Sequence, residues 1–377
     1  MTRPPAKVGE PVSVIDTPAM VVDLDAYERN LDAMATYARG AGVVLRPHAK
    51  THKSPIVALD QMARGAVGQC CQKVSEAEVF VDGGIVDVLV SNEVAGHAKV
   101  TRLAALARRA RISICADDPV QISAYGDAAR EAGATLHVLV EIDAGAARCG
   151  VAAGEAVARL AQQIIGDDGL SFDGLQAYHG GAQHLRTPQE REAAIAIAGE
   201  RVTKSLAALE EAGISCPKVT GAGTGTFDQE AGSGIWTELQ AGSYCFMDAD
   251  YARNYRAEGS NIPRFEHALF IAATVMSATA ADRAVLDAGH KSAAIDSGLP
   301  EVWRRDGVLY VSANDEHGLL SVSTGAVAPR LGERIWLVPG HIDPTINLHD
   351  WYVGVRGGLE KGIVEKVWPV AARGCVF

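Results

Sequence analysis

Short apolar runs alternate with longer stretches in which apolar residues recur every three or four positions, as far as about residue 265. The runs read AMVVDL, VVLRPHA, GQCCQKV, DVLVSN, RISICADD, TLHVLVEID, LSFDGLQAYH, KVTGAG and TELQAGSYCFM. Between them lie amphipathic segments such as DAYERNLDAMATYARGAG, VQISAYGDAAREAG and TPQEREAAIAIAGERVTKSLAALEEAG, several of which end in Gly. Strand, helix, strand at this spacing predicts a parallel sheet, and strands apolar along their whole length predict one covered on both faces. Eight or nine such units point to a (β/α)₈ TIM-type barrel with one run to spare. Beyond about residue 265 the pattern changes to strands and turns: HALFIAATVMSA, RAVLDAG, GVLYVSA, RIWLVPG, WYVGVRGG and VEKVWPVAARG. These predict a second, mainly antiparallel β domain.

Composition narrows the function. A chain of 377 residues, 48% hydrophobic and 21% charged, can bury one large core and one smaller one. The net charge of −11, with no long Lys/Arg run, argues against a nucleic-acid surface. No apolar run reaches the roughly 18 residues of a membrane span. The opening MTRPPAKVGEP lacks the apolar core of a signal peptide, so a cytoplasmic protein is expected. Seven scattered cysteines without a C-x-x-C pair read as reduced thiols, mostly buried.

Against this acidic background LRPHAKTHK concentrates Arg46, His48, Lys50, His52 and Lys53 at the end of one strand. In a barrel the working residues sit at the C-terminal ends of the strands. Those ends also carry Gln72, Asn92, Asp143, Arg148, Tyr178, His179, Ser243 and Tyr244, a polar set expected to converge on one mouth. A lysine among cations has its pKa lowered, which suits a Schiff-base lysine. On the residues alone, Lys50 and Lys53 are equal candidates. The stretch TGAGTGTF offers Gly221, Gly223 and Gly225, with the hydroxyls of Thr224 and Thr226, as a loop able to cradle a phosphate. Its G-x-G-x-G spacing and late position disfavour a nicotinamide site, and a plain tight turn is the alternative. In VPGHIDPTINLHDW, His341 and Asp343 stand two apart and would leave the same face of an extended segment as a divalent-metal pair. The turn NDEHG and the pair His349 and Asp350 are ambiguous in the same way.

The motifs RPHAKTHK, CCQKVSEAE, SNEV, ARCGV, LQAYHG with a following QH, GTG, ELQAGSY with FMDADY, NDEHG and VPGHIDPTINLHD resemble the bacterial D-threonine aldolases. That family belongs with D-serine dehydratases and 3-hydroxyaspartate aldolases to the alanine racemase-like, fold type III pyridoxal-phosphate enzymes, and the likeness runs from about Asp16 to Gly374. The resemblance implies that AMVVDL, in an N-terminal segment 1–25, crosses into the β domain. It makes residues 26–262 the cofactor-binding barrel and 263–377 the β domain with the metal site. It implies that Lys50 bonds pyridoxal 5'-phosphate, and that His341 and Asp343 bind a divalent metal, Mn²⁺ or Mg²⁺, with Zn²⁺ or Co²⁺ as alternatives. Arg148 would face the pyridine nitrogen. Gly223, Thr224 and Gly225, with Tyr244, would bind the phosphate, and Gln72, Tyr178 and Ser243 would be the further cofactor-binding residues. His179 would be the base near the substrate's β-substituent. The family's members are homodimers acting on small amino acids.

The implied reaction is retro-aldol cleavage of a D-3-hydroxy amino acid, D-threonine to glycine and acetaldehyde. A 3-hydroxyaspartate aldolase, yielding glyoxylate, is the nearest rival, and a dehydratase the next. Dehydrating relatives tend to have Cys where this chain has Asp343, which favours the aldolase. A non-catalytic cofactor carrier is the reading of another class, and such a carrier has no need of a metal-bearing second domain. Two departures stand out. The family's GGGTGS loop is GAGTGT here, tolerable if the Ala222 methyl points away from phosphate, and His290 replaces the Leu of DAGLKS with no assignable role.

Overall fold

The computed structural model of the chain describes residues 3–257, 259–260 and 262–377. After β1 (Ala19–Asp23) come eight strands separated by helices: β2 (Val44–Leu45), β3 (Gln69–Cys71), β4 (Asp87–Glu93), β5 (Arg111–Ala116), β6 (Leu136–Glu141), β7 (Leu170–Ala177), β8 (Val219–Gly221) and β9 (Glu238–Leu239). They pair in parallel in the order β2-β9-β8-β7-β6-β5-β4-β3. Cys70 N–H donates to Pro47 O at 2.8 Å and Ala49 N–H to Cys70 O at 2.7 Å, a bridge that joins the two ends and closes the barrel. The expected eight-stranded barrel therefore forms.

Side chains alternating along these strands serve two cores, which is why the runs are apolar throughout. Cys70, Leu89, Cys115 and Leu139 form a separate small cluster, while their neighbours Cys71, Val88, Val90, Ile114 and Val138 pack with the surrounding helices. The helices start and stop where local chemistry dictates. Asp23 caps Leu24–Ala41 by accepting from the N–H groups of Asp25 and Ala26, and the helix ends at Gly42 with φ 71°, a left-handed turn that glycine adopts without penalty.

The second domain comprises β10 (Leu269–Ala280), β11 (Arg283–Leu286), β12 (Glu301–Val302), β13 (Val308–Ala313), β14 (Gly318–Val322), β15 (Arg334–Val338), β16 (Trp351–Arg356) and β17 (Ile363–Pro369). β1 is the spare run: it pairs antiparallel with β10 and parallel with β16, inside the sheet of the second domain. The other pairings of that domain are antiparallel.

One local expectation fails. VPGHIDPTINLHDW is not extended around the proposed metal pair: His341 precedes a short helix, Ile342–Ile346, and Asp343 lies in its first turn. The Thr345 hydroxyl donates to His341 O at 2.6 Å, and an acidic residue suits a helix start, so local hydrogen bonding outweighs strand character here. The helix start, and not strand alternation, brings the imidazole and the carboxylate together.

Candidate active site

The basic cluster separates into members with opposite tasks. Arg46 is buried, with its guanidinium 2.7 Å from Asp87 and 3.0 Å from Glu238, at the N-terminal ends of β4 and β9 and so away from the mouth. Lys53 Nζ is also buried and donates to Glu76 Oε1 at 2.7 Å and to the carbonyls of Ala372 and Cys375 at 3.2 and 3.3 Å. His52 lies edge-on to Phe80, and burial takes its pKa down to about 4. Arg46 and Lys53 are thus already neutralised by carboxylates and are not available to an anion at the mouth. His48 stays neutral: burial, reinforced by the charge of Lys50, holds its pKa well below the imidazole range. Its Nδ1 accepts from Lys50 N–H at 3.3 Å, and its Nε2 lies 2.9 Å from Gln72 Nε2 and 3.1 Å from Ser91 Oγ.

Lys50 alone of the cluster's cations reaches a cavity of about 320 Å³ at the C-terminal ends of the strands. Gln72, Arg148, Tyr178, Gly223, Thr224 and Ser243 share its walls, so the structure brings these expected site residues together. The cavity lies in the roughly 300–1,000 Å³ range of small-molecule pockets. An amine, a guanidinium 5.7 Å from the Tyr178 ring and a glycine-containing loop on its walls fit a phosphorylated pyridine.

The rest of the glycine loop faces elsewhere. Gly225 N–H donates to Gln183 Oε1 at 3.0 Å, and a Cβ on Gly223 or Gly225 would come within 2.3 or 2.1 Å of Gln183. Glycine is required there by the approach of Gln183, which is fully buried and whose Nε2 donates to Thr226 Oγ1 at 2.7 Å. The Tyr244 ring points into the apolar core against Phe265, with its hydroxyl accepting from Gln61, while its backbone N–H donates to Thr224 Oγ1 at 3.0 Å. Ala222 has φ 71°, left-handed for a residue with a Cβ, and is buried in the apolar core with Phe227 and Tyr244.

Across the cavity mouth the second domain contributes Asp343, whose Oδ2 is 3.3 Å from Lys50 Nζ. This pairing reverses the expected shift: the Asp343 charge outweighs burial and raises the pKa of Lys50 above the ordinary amine value. Burial pushes the Asp343 carboxyl up, but Lys50 and His341 overcome it and leave the pKa below the carboxylate range. Asp343 Oδ1 is buried without a hydrogen-bond partner among the described residues. An orphaned carboxylate oxygen beside an imidazole fits a divalent cation.

The two imidazoles of LQAYHGGAQH differ in setting. His179 does not line the cavity: its ring lies against Gly145, where an added Cβ would meet Nε2 at 2.8 Å, and its Nδ1 is buried without a partner among the described residues. Burial, then Arg201, takes its pKa below the ordinary imidazole value. His184 is half-exposed and has its Nδ1 2.6 Å from Asp250 Oδ2, with its ring 5.2 Å from that of Tyr251, a cavity residue. A carboxylate on Nδ1 leaves Nε2 as the working nitrogen. Sequence reading passed over His184, although the QH that follows LQAYHG was its signal.

A further group hidden in a strand was also missed. Glu141 closes β6, and the ligand atoms of Glu141, Glu93 and Cys149 all lie within 4.8 Å of one another. Burial, then the neighbouring Glu93, pushes the Glu141 pKa up to about 9, and Arg148 Nη2 is 4.0 Å away. Asp143, Asp117 and Asn92 are scaffold. Asp143 accepts from the N–H groups of Gly145 and Ala147, Asp117 from Gly150, and Asn92 donates to Gln72 O. His290 pairs with Asp315 at 2.9 Å on the surface, and His349 Nε2 meets Ser292 O at 2.8 Å.

Known proteins match this arrangement over its whole length. Residues 22–250 match the family described as alanine racemase, N-terminal domain, and residues 268–355 a serine dehydratase domain. The chain is 50% identical to a D-threonine aldolase of an Arthrobacter species, covering 98% of this chain and 96% of that protein. It is 47% identical to a 3-hydroxy-D-aspartate aldolase of Paracoccus denitrificans, covering 98% and 95%. The crystal structure of D-threonine aldolase from Filomicrobium marinum superposes with a TM-score of 0.96 at 54% identity, covering 99% of this chain and all of that one. No helix among the described residues is long and apolar enough to cross a membrane. With an alanine racemase-like barrel, a serine dehydratase-type second domain and such relatives along its full length, this chain belongs to the D-threonine aldolase family of fold type III pyridoxal-phosphate enzymes.

Proposed function

We propose that the protein is a lyase that cleaves D-3-hydroxy amino acids between Cα and Cβ, taking D-threonine to glycine and acetaldehyde. The observation that supports this reading most is the 3.3 Å approach of Lys50, a lysine on the cavity wall, to Asp343 of the second domain. Lys50, Gln72, Arg148, Tyr178, Ser243 and the loop Gly223–Gly225 would hold pyridoxal phosphate, with the backbone N–H of Tyr244 fixing that loop through Thr224. His341 and Asp343 would hold the cation, Mn²⁺ or Mg²⁺ in our reading, with Zn²⁺ or Co²⁺ as alternatives. Bound there, the cofactor supplies an electron sink for the pair left on Cα, and the cation a Lewis acid for the β-hydroxyl.

The chain's own residues do the rest. An imidazole takes the hydroxyl proton as the C–O bond becomes a carbonyl and Cα–Cβ breaks, and a proton returned to Cα completes glycine. His184, oriented by Asp250 and with its ring beside that of Tyr251, is better placed for that task than His179, which is turned into the Gly145 loop. Arg148 cannot release a proton, so it would hold the pyridine nitrogen unprotonated. Seven cysteines without a disulfide fit a reducing, cytoplasmic setting, and the working form in this reading is a homodimer with the mouth near the partner chain.

The test is product analysis after incubation with pyridoxal phosphate, Mn²⁺ and D-threonine. Glycine and acetaldehyde are expected, whereas 2-oxobutyrate and ammonia would make it a dehydratase. A faster reaction on 3-hydroxyaspartate, releasing glyoxylate, would move it to the substrate named for its Paracoccus relative.

A further inference from the structure

The loop Ala294–Gly298 and the segment Gly340–Thr345 are built against each other at three points. Ala294 N–H donates to Thr345 Oγ1 at 3.0 Å, and the same hydroxyl donates to His341 O at 2.6 Å. Gly340 packs so tightly on the backbone of Gly298 that a Cβ there would lie 2.1 Å from Gly298 O. At the third point, Asp296 Oδ2 lies 2.7 Å from His341 Nδ1, with Ser297 Oγ 3.3 Å from the same nitrogen and 3.1 Å from the same carboxylate oxygen. A side chain whose partner sits across two interlocked backbones is not a casual surface pair, even though the Asp296 side chain is half-exposed.

Resting on the metal reading given above, we propose that Asp296 is the positioning residue for His341. Its carboxylate accepts a hydrogen bond from Nδ1–H and so selects the tautomer that leaves the Nε2 lone pair free for the cation. The same bond fixes the rotation of the ring about Cβ–Cγ. Asp343 needs no such partner, because its helical position already aims it at Lys50. A carboxylate on the outer nitrogen also makes the imidazole a more basic ligand, and losing such a partner costs about 10–100-fold in metal affinity. Asp296 touches neither Lys50 nor the cavity wall, so its effect is confined to the metal.

The experiment measures Mn²⁺ binding to chelator-stripped, pyridoxal phosphate-loaded protein by isothermal titration calorimetry. Parent, Asp296→Ala, Asp296→Asn and His341→Ala proteins are compared, with the melting temperature and cofactor absorbance of each recorded. The expected result is a Kd raised about 10–100-fold in Asp296→Ala and raised less in Asp296→Asn, whose amide oxygen still accepts a hydrogen bond. Melting temperature and cofactor absorbance should match the parent. Mn²⁺ affinity within twofold of the parent in both Asp296 variants, with affinity lost in His341→Ala, would overturn the proposal and leave the metal reading standing. Undiminished affinity in His341→Ala would overturn both.

Discussion

The two rims of the barrel use the same kinds of charged residue in opposite ways. At the N-terminal ends of the strands Arg46 meets Asp87 and Glu238, and Asp173 meets Lys218 at 2.8 Å and Arg111 at 2.5 Å. Each charge there has its counter-charge within reach. At the C-terminal ends, among the described residues, Lys50 has one carboxylate for company, Arg148 stands 4.0 Å from a carboxyl with a raised pKa, and Asp343 keeps an oxygen without a partner. A closed set of ion pairs holds a fold together, whereas an incomplete set is arranged to receive something. The difference lies in the completeness of the pairing, because the residue types are shared.

Lys50 and Lys53, three residues apart, break or sharpen that contrast most directly. Lys50→Ala is expected to abolish turnover, by about 10³-fold or more, and to remove the absorbance of a lysine-linked cofactor while the protein melts as the parent does. Lys53→Ala should keep that absorbance and instead lose about 3–5 kcal/mol of stability in urea denaturation, because Glu76 is left charged and buried. Cofactor absorbance that survives in Lys50→Ala and vanishes in Lys53→Ala would exchange the two roles.

The imidazoles of LQAYHGGAQH give the next largest effect. His184→Ala is expected to lower kcat by about 10²–10⁴-fold, with cofactor binding unchanged, since the ring approaches the cavity through Tyr251 and is oriented by Asp250. His179→Ala removes a buried ring packed on Gly145 and should change kcat by no more than a few fold, a scale on the order of an ordinary packing loss. Steady-state kinetics on D-threonine decide between them. A larger loss in His179→Ala would mean that the Gly145 loop rearranges when substrate enters.

Why one rim was legible and the other less so follows from what periodicity encodes. DVLVSN and TLHVLVE are apolar on both faces because one face fills the barrel and the other meets helices, so strand count and barrel closure could be read from the chain. Periodicity does not single out AMVVDL, whose pattern matches a barrel strand: the family resemblance set it apart, in keeping with its pairing to β10 and β16. Whether a charge is paired depends on residues far away in sequence. Arg46 looks like part of a cationic cluster until Asp87 and Glu238 arrive, and Lys53 until Glu76 does. His341 and Asp343 were expected on an extended segment, because H-x-D reads as one face of a strand and says nothing of the hydroxyl that starts a helix there. Asp296 and Gln183 carried no chemical signature, since positioning roles exist only once the loops are interlocked.

Glu230 tests the contrast at its finest, because it is a carboxyl group near the cavity's glycine loop with no cation beside it among the described residues. It lies behind the glycine loop, fully buried, with Oε1 accepting from Thr226 at 2.9 Å and Oε2 without a partner among the described residues. Burial pushes its pKa up to about 8 from an ordinary 4.5, the Thr226 hydrogen bond offsetting only part of that rise. Between those values the folded chain holds a proton that the unfolded chain releases. The group's contribution to stability is therefore complete below about pH 4.5 and is lost as pH rises through about 8. Glu230→Gln cannot titrate, so its stability across that window should fall less steeply than the parent's, by up to about 1.4 kcal/mol per pH unit. Urea denaturation at several pH values measures both slopes, and coincident slopes would mean that the carboxyl is ionised in the fold. A neutral Glu230 also has a consequence for the cavity. It lets Thr226 and Gln183 fix the glycine loop without setting a negative charge behind the place proposed for a phosphate, so cofactor affinity in the parent should weaken above about pH 8 and do so less in Glu230→Gln.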